Sequence, residues 1–394
     1  MYMALCGTGA LMACVLSPSV AMAKGSVKRG KPTSIEVGSD PVAVAFTPNS
    51  KTVYVVNSNS GTVTPISTVL KKARTAIRVG SDPDAIAVSP NGEMAYVTNS
   101  GSGTVTPITT ASGKAGQPIP VGMAPSAVVI SPQNDRAYVA DSGSAEITPI
   151  DVSTNTALAP ISVGSGPGLI ALSPDGKFAY VANFIAGTVT PVNLATNSAG
   201  PPIAVGHQPN AIAFTPNSQT AYVANLSSNT VVPITTATGQ PGTPIQVGSE
   251  PQQLAITPDG KTLLAVNYQS GTVSLIAVPA NVVRATAKVG KNPETILLTE
   301  KGTLALVVNE GSGSMTGIAT STAATVTVQV GGQPTPAAVS PDGKTLVVGV
   351  SDEDTPKPGH VVIYPVIPVH GNENAPCPLI PYMPVYPYAR IPGC

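Results

Sequence analysis

The chain has no tryptophan, and charged residues make up only 10% of its 394 residues. A soluble domain ordinarily carries about 25%, so Thr, Ser, Asn and Gln must wet most of this surface. Its 20 basic and 20 acidic residues cancel. Phosphate binding needs a concentrated basic face. The bases here are scattered apart from a short run at 24–31, which excludes nucleic acid as a partner. Only three histidines (His207, His360, His370) can act near neutral pH without a shifted pKa. There is no Gly-x-Ser-x-Gly elbow, no Cys-x-x-Cys and no Asp-x-Asp-x-Asp-Gly loop. Gly260-Lys261-Thr262 and Gly343-Lys344-Thr345 imitate the end of a phosphate loop. The glycine required five positions earlier is Ala255 or Ala338, so both are turns. No cofactor and no metal is implied by any motif.

Long hydrophobic runs are also missing. After residue 23 no stretch reaches the ~20 apolar residues of a membrane helix. Residues 1–23 are apolar, small and uncharged, and end in Ala21-Met22-Ala23 before Lys24. The pattern predicts a secretory signal peptide, although its usual positive start is missing. The alternative is a lipoprotein signal with Cys14 lipidated. A basic linker, 24–32, follows. Export leaves Cys377 and Cys394, which bracket a Pro/Tyr-rich tail at 367–394; two cysteines in an exported chain most simply pair as a disulfide. The expected location is secreted or at the cell surface.

Glycine (38) and proline (41) are abundant, and they recur at fixed positions. The phrase Val-Gly-x-x-Pro repeats with its glycine at Gly38, Gly80, Gly122, Gly164, Gly206, Gly248 and Gly290, in steps of 42 residues. An eighth copy at Gly331 comes one residue early. Each unit then gives a small apolar strand and a turn such as Ser173-Pro174-Asp175-Gly176. A second strand follows, such as Tyr180-Val181-Ala182-Asn183, then a third and a looser fourth. Four short strands in a unit of about 42 residues make a propeller blade, whose two faces are covered only by its neighbours.

The fold class is therefore an all-β β-propeller of four-stranded antiparallel blades spanning 33–366. Its eighth unit lacks a fourth strand, and the chain opens with an orphan one, Ser34-Ile35-Glu36-Val37. These fragments predict eight blades, with the N-terminal strand closing the last blade; seven blades is the alternative. Proline recurs in the third strand at Pro65, Pro107, Pro149, Pro191 and Pro233, with Pro365 as a further copy. Proline donates no ladder bond, so a bulge or an end of pairing is expected there.

The strand Tyr96-Val97-Thr98-Asn99, followed by Ser-Gly-Ser-Gly-Thr-Val, resembles the YVTN family of β-propeller repeats. The copies at 54–57, 138–141, 180–183 and 222–225 are close, and those at 264–267, 306–309 and 347–350 are degraded. The resemblance implies a surface-layer-like or other extracellular protein. The sequence is also similar to lactonase-type propellers, which are enzymes. Fold alone does not choose between them.

In a four-stranded blade, the loops joining blades and those joining strands two and three open on one face. That face collects the x-x residues of Val-Gly-x-x-Pro, and Asp40, Asp82, His207 and Glu250 break the repeat there. They are the candidate ligand-binding residues, for a protein, glycan or small-molecule partner. The neighbouring series Asn57, Asn99, Asp141, Asn183, Asn225, Asn267 and Asn309 is expected to form Asx-type turns. No catalytic residue stands out, since no Arg shares the loop series with His207. The expected function is a non-catalytic binding or structural module, with a secreted lactonase-type hydrolase or isomerase as the alternative.

Overall fold

The structure is a computed structural model that describes residues 32–299, 301–351 and 359–365. The expected signal, most of the linker, Cys14, His370, the tail and the Cys377–Cys394 pair lie outside the described residues.

Eight antiparallel sheets form a closed ring of eight blades. Their inner strands are Pro41–Phe46, Pro83–Val88, Pro125–Ile130, Pro167–Leu172, Pro209–Phe214, Pro251–Ile256, Pro293–Leu298 and Gln333–Val339, each packed against the next. The first also packs against the last, which closes the circle. Closure uses the N-terminal strand Thr33–Glu36 as the outer strand of blade eight. It pairs with His360–Pro365 in the register Thr33↔Ile363, Ser34↔Val362, Ile35↔Val361 and Glu36↔His360. The eight-bladed expectation therefore holds over the seven-bladed one.

The core sits between blades. Residues alternating along each strand go to opposite neighbours: Val53 and Val55 pack toward blade eight, Tyr54 and Val56 toward blade two. At roughly 25 cal/mol per Å² of apolar area, this two-sided burial is the main stabilising term. It also explains strands that are apolar at nearly every position, such as Thr52–Asn57, buried throughout.

The recurring proline acts on the outer side of its strand. Pro65 pairs normally with Tyr54, but the outer strand breaks around it into Lys72–Ala73 and Ile77–Arg78. The same two-piece outer strand occurs in blades two to five, all of which carry the proline. In blades six and seven, Leu275 and Gly317 stand in its place, and the outer strands Val282–Lys288 and Thr325–Gln329 are each continuous, the first with a register shift between Leu275 and Ile276. The two-piece outer strand thus accompanies the missing N–H of the proline. Pro365 corrects the sequence expectation. It pairs with Thr345 at the strand end, and Ile363 occupies the kink position. The closing strand can therefore pair without a break.

On one face, each Ser/Thr-Pro-Asp/Asn-Gly turn is tied by its own side chains. Ser173 Oγ donates to Asp175 Oδ1 (2.7 Å), which accepts the Lys177 N–H (3.2 Å). Gly176 takes φ 69°, a left-handed value that glycine adopts without strain. Tyrosines staple neighbouring blades toward the same face. Tyr96, Tyr138 and Tyr222 donate to Asn155, Asn197 and Asn281 Oδ1 of the following blade, each at 2.7 Å. Tyr180 faces Gly239 at the equivalent place, so its buried hydroxyl has no acceptor. Its ring instead meets Phe214 edge-on at 5.0 Å.

This contrast gives a test. Tyr138→Phe removes one hydrogen bond and should cost about 1 kcal/mol in urea unfolding. Tyr180→Phe removes an unpaired hydroxyl and should be neutral or stabilising. Equal losses would show that the tyrosine–asparagine bonds do not hold the blades together.

Candidate functional site

The opposite face carries the loops that join blades and those that join strands two and three. One hydrogen bond organises it. The residue after each Asn of the second strand donates its N–H to the carbonyl of the second x in Val-Gly-x-x-Pro: Ser58 to Asp40 (2.8 Å), Ser100 to Asp82 (3.0 Å), Leu226 to Gln208 (2.9 Å), Tyr268 to Glu250 (2.9 Å). To present that carbonyl, the second x takes a left-handed conformation: Asp40 φ 57°, Asp82 φ 49°, Glu250 φ 56°, with Ala124, Gly166, Gln208, Asn292 and Gly332 alike.

The Asn series is not the set of Asx turns expected from sequence. Asn57, Asn99, Asn183, Asn225, Asn267 and Asn309 are fully buried. Asn99 Nδ2 donates to Thr104 Oγ1 (3.1 Å) and Thr106 Oγ1 (3.0 Å) of the third strand, and its Oδ1 accepts the Gly80 N–H (3.0 Å). Asn225 reaches the loop through Nδ2 to the Val205 carbonyl (3.1 Å), whereas the Oδ1 atoms of Asn57, Asn183, Asn267 and Asn309 have no hydrogen-bond partner and these side chains meet the blade-joining loop by packing against its glycine. A Cβ on Gly164 would lie 2.6 Å from Asn183, so this contact requires glycine. In blade eight Val350 replaces the Asn, and nothing lies within 4 Å of a Cβ on Gly331. The series is structural and does not face a ligand.

The sequence-predicted residues stand on this face as four loop positions around the ring. His207 is exposed, with its backbone N–H held by Ser228 Oγ (2.8 Å), and it lines a shallow depression of about 250 Å³ with Phe184, Ile185 and Gln208. Asp82 lines a second depression, of about 560 Å³, with Arg78 and Ser102. Asp40 and Asp82 lie in blades one and two, His207 and Glu250 in blades five and six. No group of three or more His, Cys, Asp or Glu that could hold a metal occurs among the described residues. His360 begins the third strand of blade eight opposite Glu36, at this face, next to Gly359, which accepts the Val37 N–H (2.8 Å) and donates to the Gly38 carbonyl (3.0 Å).

Sequence reasoning missed two series. The first is the residue after each blade-entry proline: Val42, Asp84, Ser126, Gly168, Asn210, Gln252, Glu294 and Thr335. A register shift follows each proline. It leaves this residue out of the pairing register, on the inner strands that wall the centre of the ring; Val42 still packs against the core between blades one and two. A Cβ on Gly168 would meet nothing within 4 Å, which marks that wall as open space. Ser126 is 3% exposed, and its hydroxyl has no partner; nor has the buried Asn210 Oδ1. Burial pushes the Asp84 carboxyl up to about 7.

The second series follows the buried Asn and rims the channel: Ser58, Ser100, Ser142, Phe184, Leu226, Tyr268 and Glu310. Ile185, 73% exposed, and Met123, 66% exposed, extend its apolar part. Tyr268 bonds the Asn292 side chain, and its pKa is raised by burial and then by the charges of Glu310, Glu294 and Glu250. The signal for both series was in the sequence: a position that differs in every blade inside an otherwise uniform strand.

These features define a closed eight-bladed β-propeller with a polar channel wall and a chemically varied mouth. The chain belongs to the family described as "Lactonase, 7-bladed beta-propeller", whose family model matches residues 18–281. That match ends in blade six, and this ring holds one blade more than the family's description. Similar solved structures include Kuenenia stuttgartiensis hydrazine synthase (20% identity, TM-score 0.58, covering 74% of this chain and 96% of that one). Another is dihydro-heme d1 dehydrogenase NirN in complex with DHE (17%, 0.63, 72% and 64%). A third is a protein of unknown function from Desulfotomaculum acetoxidans (18%, 0.52, 64% and 86%). At these identities the likeness concerns the fold. No curated protein matches the chain.

Asp141 yields a prediction. It is the one acid in the Asn series, fully buried, and burial raises its pKa to about 7 against the bond from Thr148 (2.6 Å). Its folded pKa lies above the unfolded 3.8. The folded state therefore holds an extra proton between about 4 and 7, and stability falls as pH rises through that window. Asp141→Asn restores the residue of the other blades. It should stabilise by roughly 1–3 kcal/mol at pH 8 and by little at pH 4. Denaturant titrations at both pH values check this; equal stability of the two proteins at pH 8 would contradict it.

Proposed function

We infer that the protein is a non-catalytic binding module acting outside the cell or at its surface, with recognition on the blade-joining face. One observation carries this reading. The opposite face repeats one turn with nearly one chemistry, whereas the mouth residues differ from blade to blade. Recognition requires such differences, and a turn requires only backbone geometry. The Tyr-Val-x-Asn strands, which resemble the YVTN repeats, support the extracellular setting.

Family membership favours a second reading, a lactonase-type hydrolase. A cluster of His with Glu or Arg at the mouth would support it. His207 instead stands beside Phe184 and Ile185 in an exposed loop. Arg136 and Arg284 bond Asp151 and the 320–321 backbone, away from the channel, and Arg78 shares its depression with Asp82 but with no histidine. Asp84 is the buried acid on the wall that a hydrolase could use.

The test changes Asp40→Asn, Asp82→Asn, His207→Ser and Glu250→Gln together. Asn292 and Gln208 already occupy the same left-handed position, so folding should be intact, with each change within about 0.5 kcal/mol. Affinity capture from the organism's own surface extract should weaken. Undiminished capture would remove these loops from recognition. Lactone hydrolysis by the wild type that Asp84→Asn abolishes would overturn the non-catalytic reading.

A further inference from the structure

The outer part of each blade is covered on one side by the turn that follows the third strand of the next blade. The outer strand presents an apolar residue to that turn. Ile77, Ile119, Ile161, Ile203 and Ile245 in blades one to five, and Ala287 in blade six, are at most 8% exposed. A Cβ on Gly113, in the turn of blade two, would lie 4.0 Å from Ile77 Cδ1, and one on Gly239 would lie 3.5 Å from Ile203 Cδ1. The tyrosines of the second strand meet the same turns, as Tyr96 meets Asn155. Blade one covers the closing strand in the same way, and Ile35 there is 8% exposed.

Blade seven is the exception at both positions. Val328 pairs with Met315 as Ile77 pairs with Val63 in blade one, yet it is 45% exposed. Val326, on the same side of the strand, is 51% exposed. Leu306 takes the tyrosine position and is half-buried, whereas Leu264 in blade six is fully buried. Leu306 packs against the cluster that blade seven shares with blade eight, so this side faces blade eight. Exposed apolar residues grouped in one place mark a surface that another segment covers.

The sequence holds a matching segment at the right place. The third strand of blade eight ends at Pro365, which pairs with Thr345 as Ser67 pairs with Thr52 in blade one. In blade one the covering turn follows at once and reaches Lys71, a left-handed residue (φ 50°). After Pro365 the chain reads Val366-Ile367-Pro368-Val369-His370-Gly371, outside the described residues. Its first four residues are apolar. Gly371 can take the left-handed conformation without strain, and the β-branched Val369 cannot.

We propose that residues 366–371 form the missing turn of blade eight and dock on blade seven, laying Val366, Ile367 and Val369 over Val326, Val328 and Leu306. The turn is longer than that of blade one, because it closes at Gly371 where equal spacing would give Val369. Both ends of the chain then complete the same blade. The N-terminal strand joins it to blade one, and this segment joins it to blade seven.

Photocrosslinking in the full-length protein tests the docking. A benzophenone-bearing amino acid in place of Val328, irradiated and mapped by peptide mass, should link to residues 366–371 of the same chain. A map without that link overturns the proposal, as does a link between two chains, which would assign the valine face to a second copy. A mutant cycle gives an independent reading. Val328→Ser and Ile367→Ser should each lower the melting temperature by about 1–3 °C. The double variant should fall no further than the larger single loss, since the same contact is removed each time. Additive losses, or no loss from Ile367→Ser, would contradict the docking.

Discussion

Mutual coverage of neighbouring sheets is the constraint on which everything else here depends. A blade of this chain is apolar on both faces and has no helix to lie on. It is buried only if another blade lies on each side, and a row of blades satisfies that requirement at its two ends only by closing. The N-terminal strand resolves the last step. Ile35 and Val37 pack with Val44, Val55, Val347 and Ile363 in one cluster that joins the first blade to the eighth. A ring so closed has no long exposed edge on which to aggregate. It also has a centre, and the channel wall exists only because the ring is complete.

Within that ring, the buried asparagines convert a repeated fold into a positioned site. Each fixes the approach of a blade-joining loop to the end of the second strand, and the carbonyl of the left-handed residue is held beside the next N–H. The backbone of the mouth is therefore much the same in every blade. Chemical variation can accumulate at the side chains without disturbing it, as the change from Ser58 to Phe184 to Glu310 illustrates. The opposite face shows the converse. There the side chains themselves make the turn, as Ser173 and Asp175 do, and so cannot vary freely.

Much of the architecture was legible in the sequence because it repeats. The 42-residue period, the four-strand unit, the proline kink and the orphan strand at Ser34–Val37 each followed from spacing and backbone chemistry. Pro365 misled because alignment by residue type cannot see a shift of two positions at a strand end. The Asn series misled for a different reason. Asn at a strand end reads as a local turn former, while its actual partners, Thr62 and Thr64 for Asn57, lie across the hairpin. The channel wall was hidden by the register shift after each blade-entry proline, which defeats a strict in–out alternation. Asp84, Ser126 and Asn210 consequently looked like ordinary strand residues. Asp40, Asp82, His207 and Glu250 were legible as interruptions of a repeat, and they stand on the face that the loop argument assigned.

Closure by the N-terminal strand can be measured directly. Ser34 and Val362 are Cα partners across the closing pair, and antiparallel partners 4.5–5.5 Å apart are within disulfide reach. In the double variant Ser34→Cys, Val362→Cys, mild oxidation followed by peptide mapping should recover a crosslink between the two introduced thiols, with the ring still folded. If both thiols stay free while circular dichroism shows an intact propeller, the N-terminal strand does not close the eighth blade, and the account of the ring, its channel and its mouth is wrong.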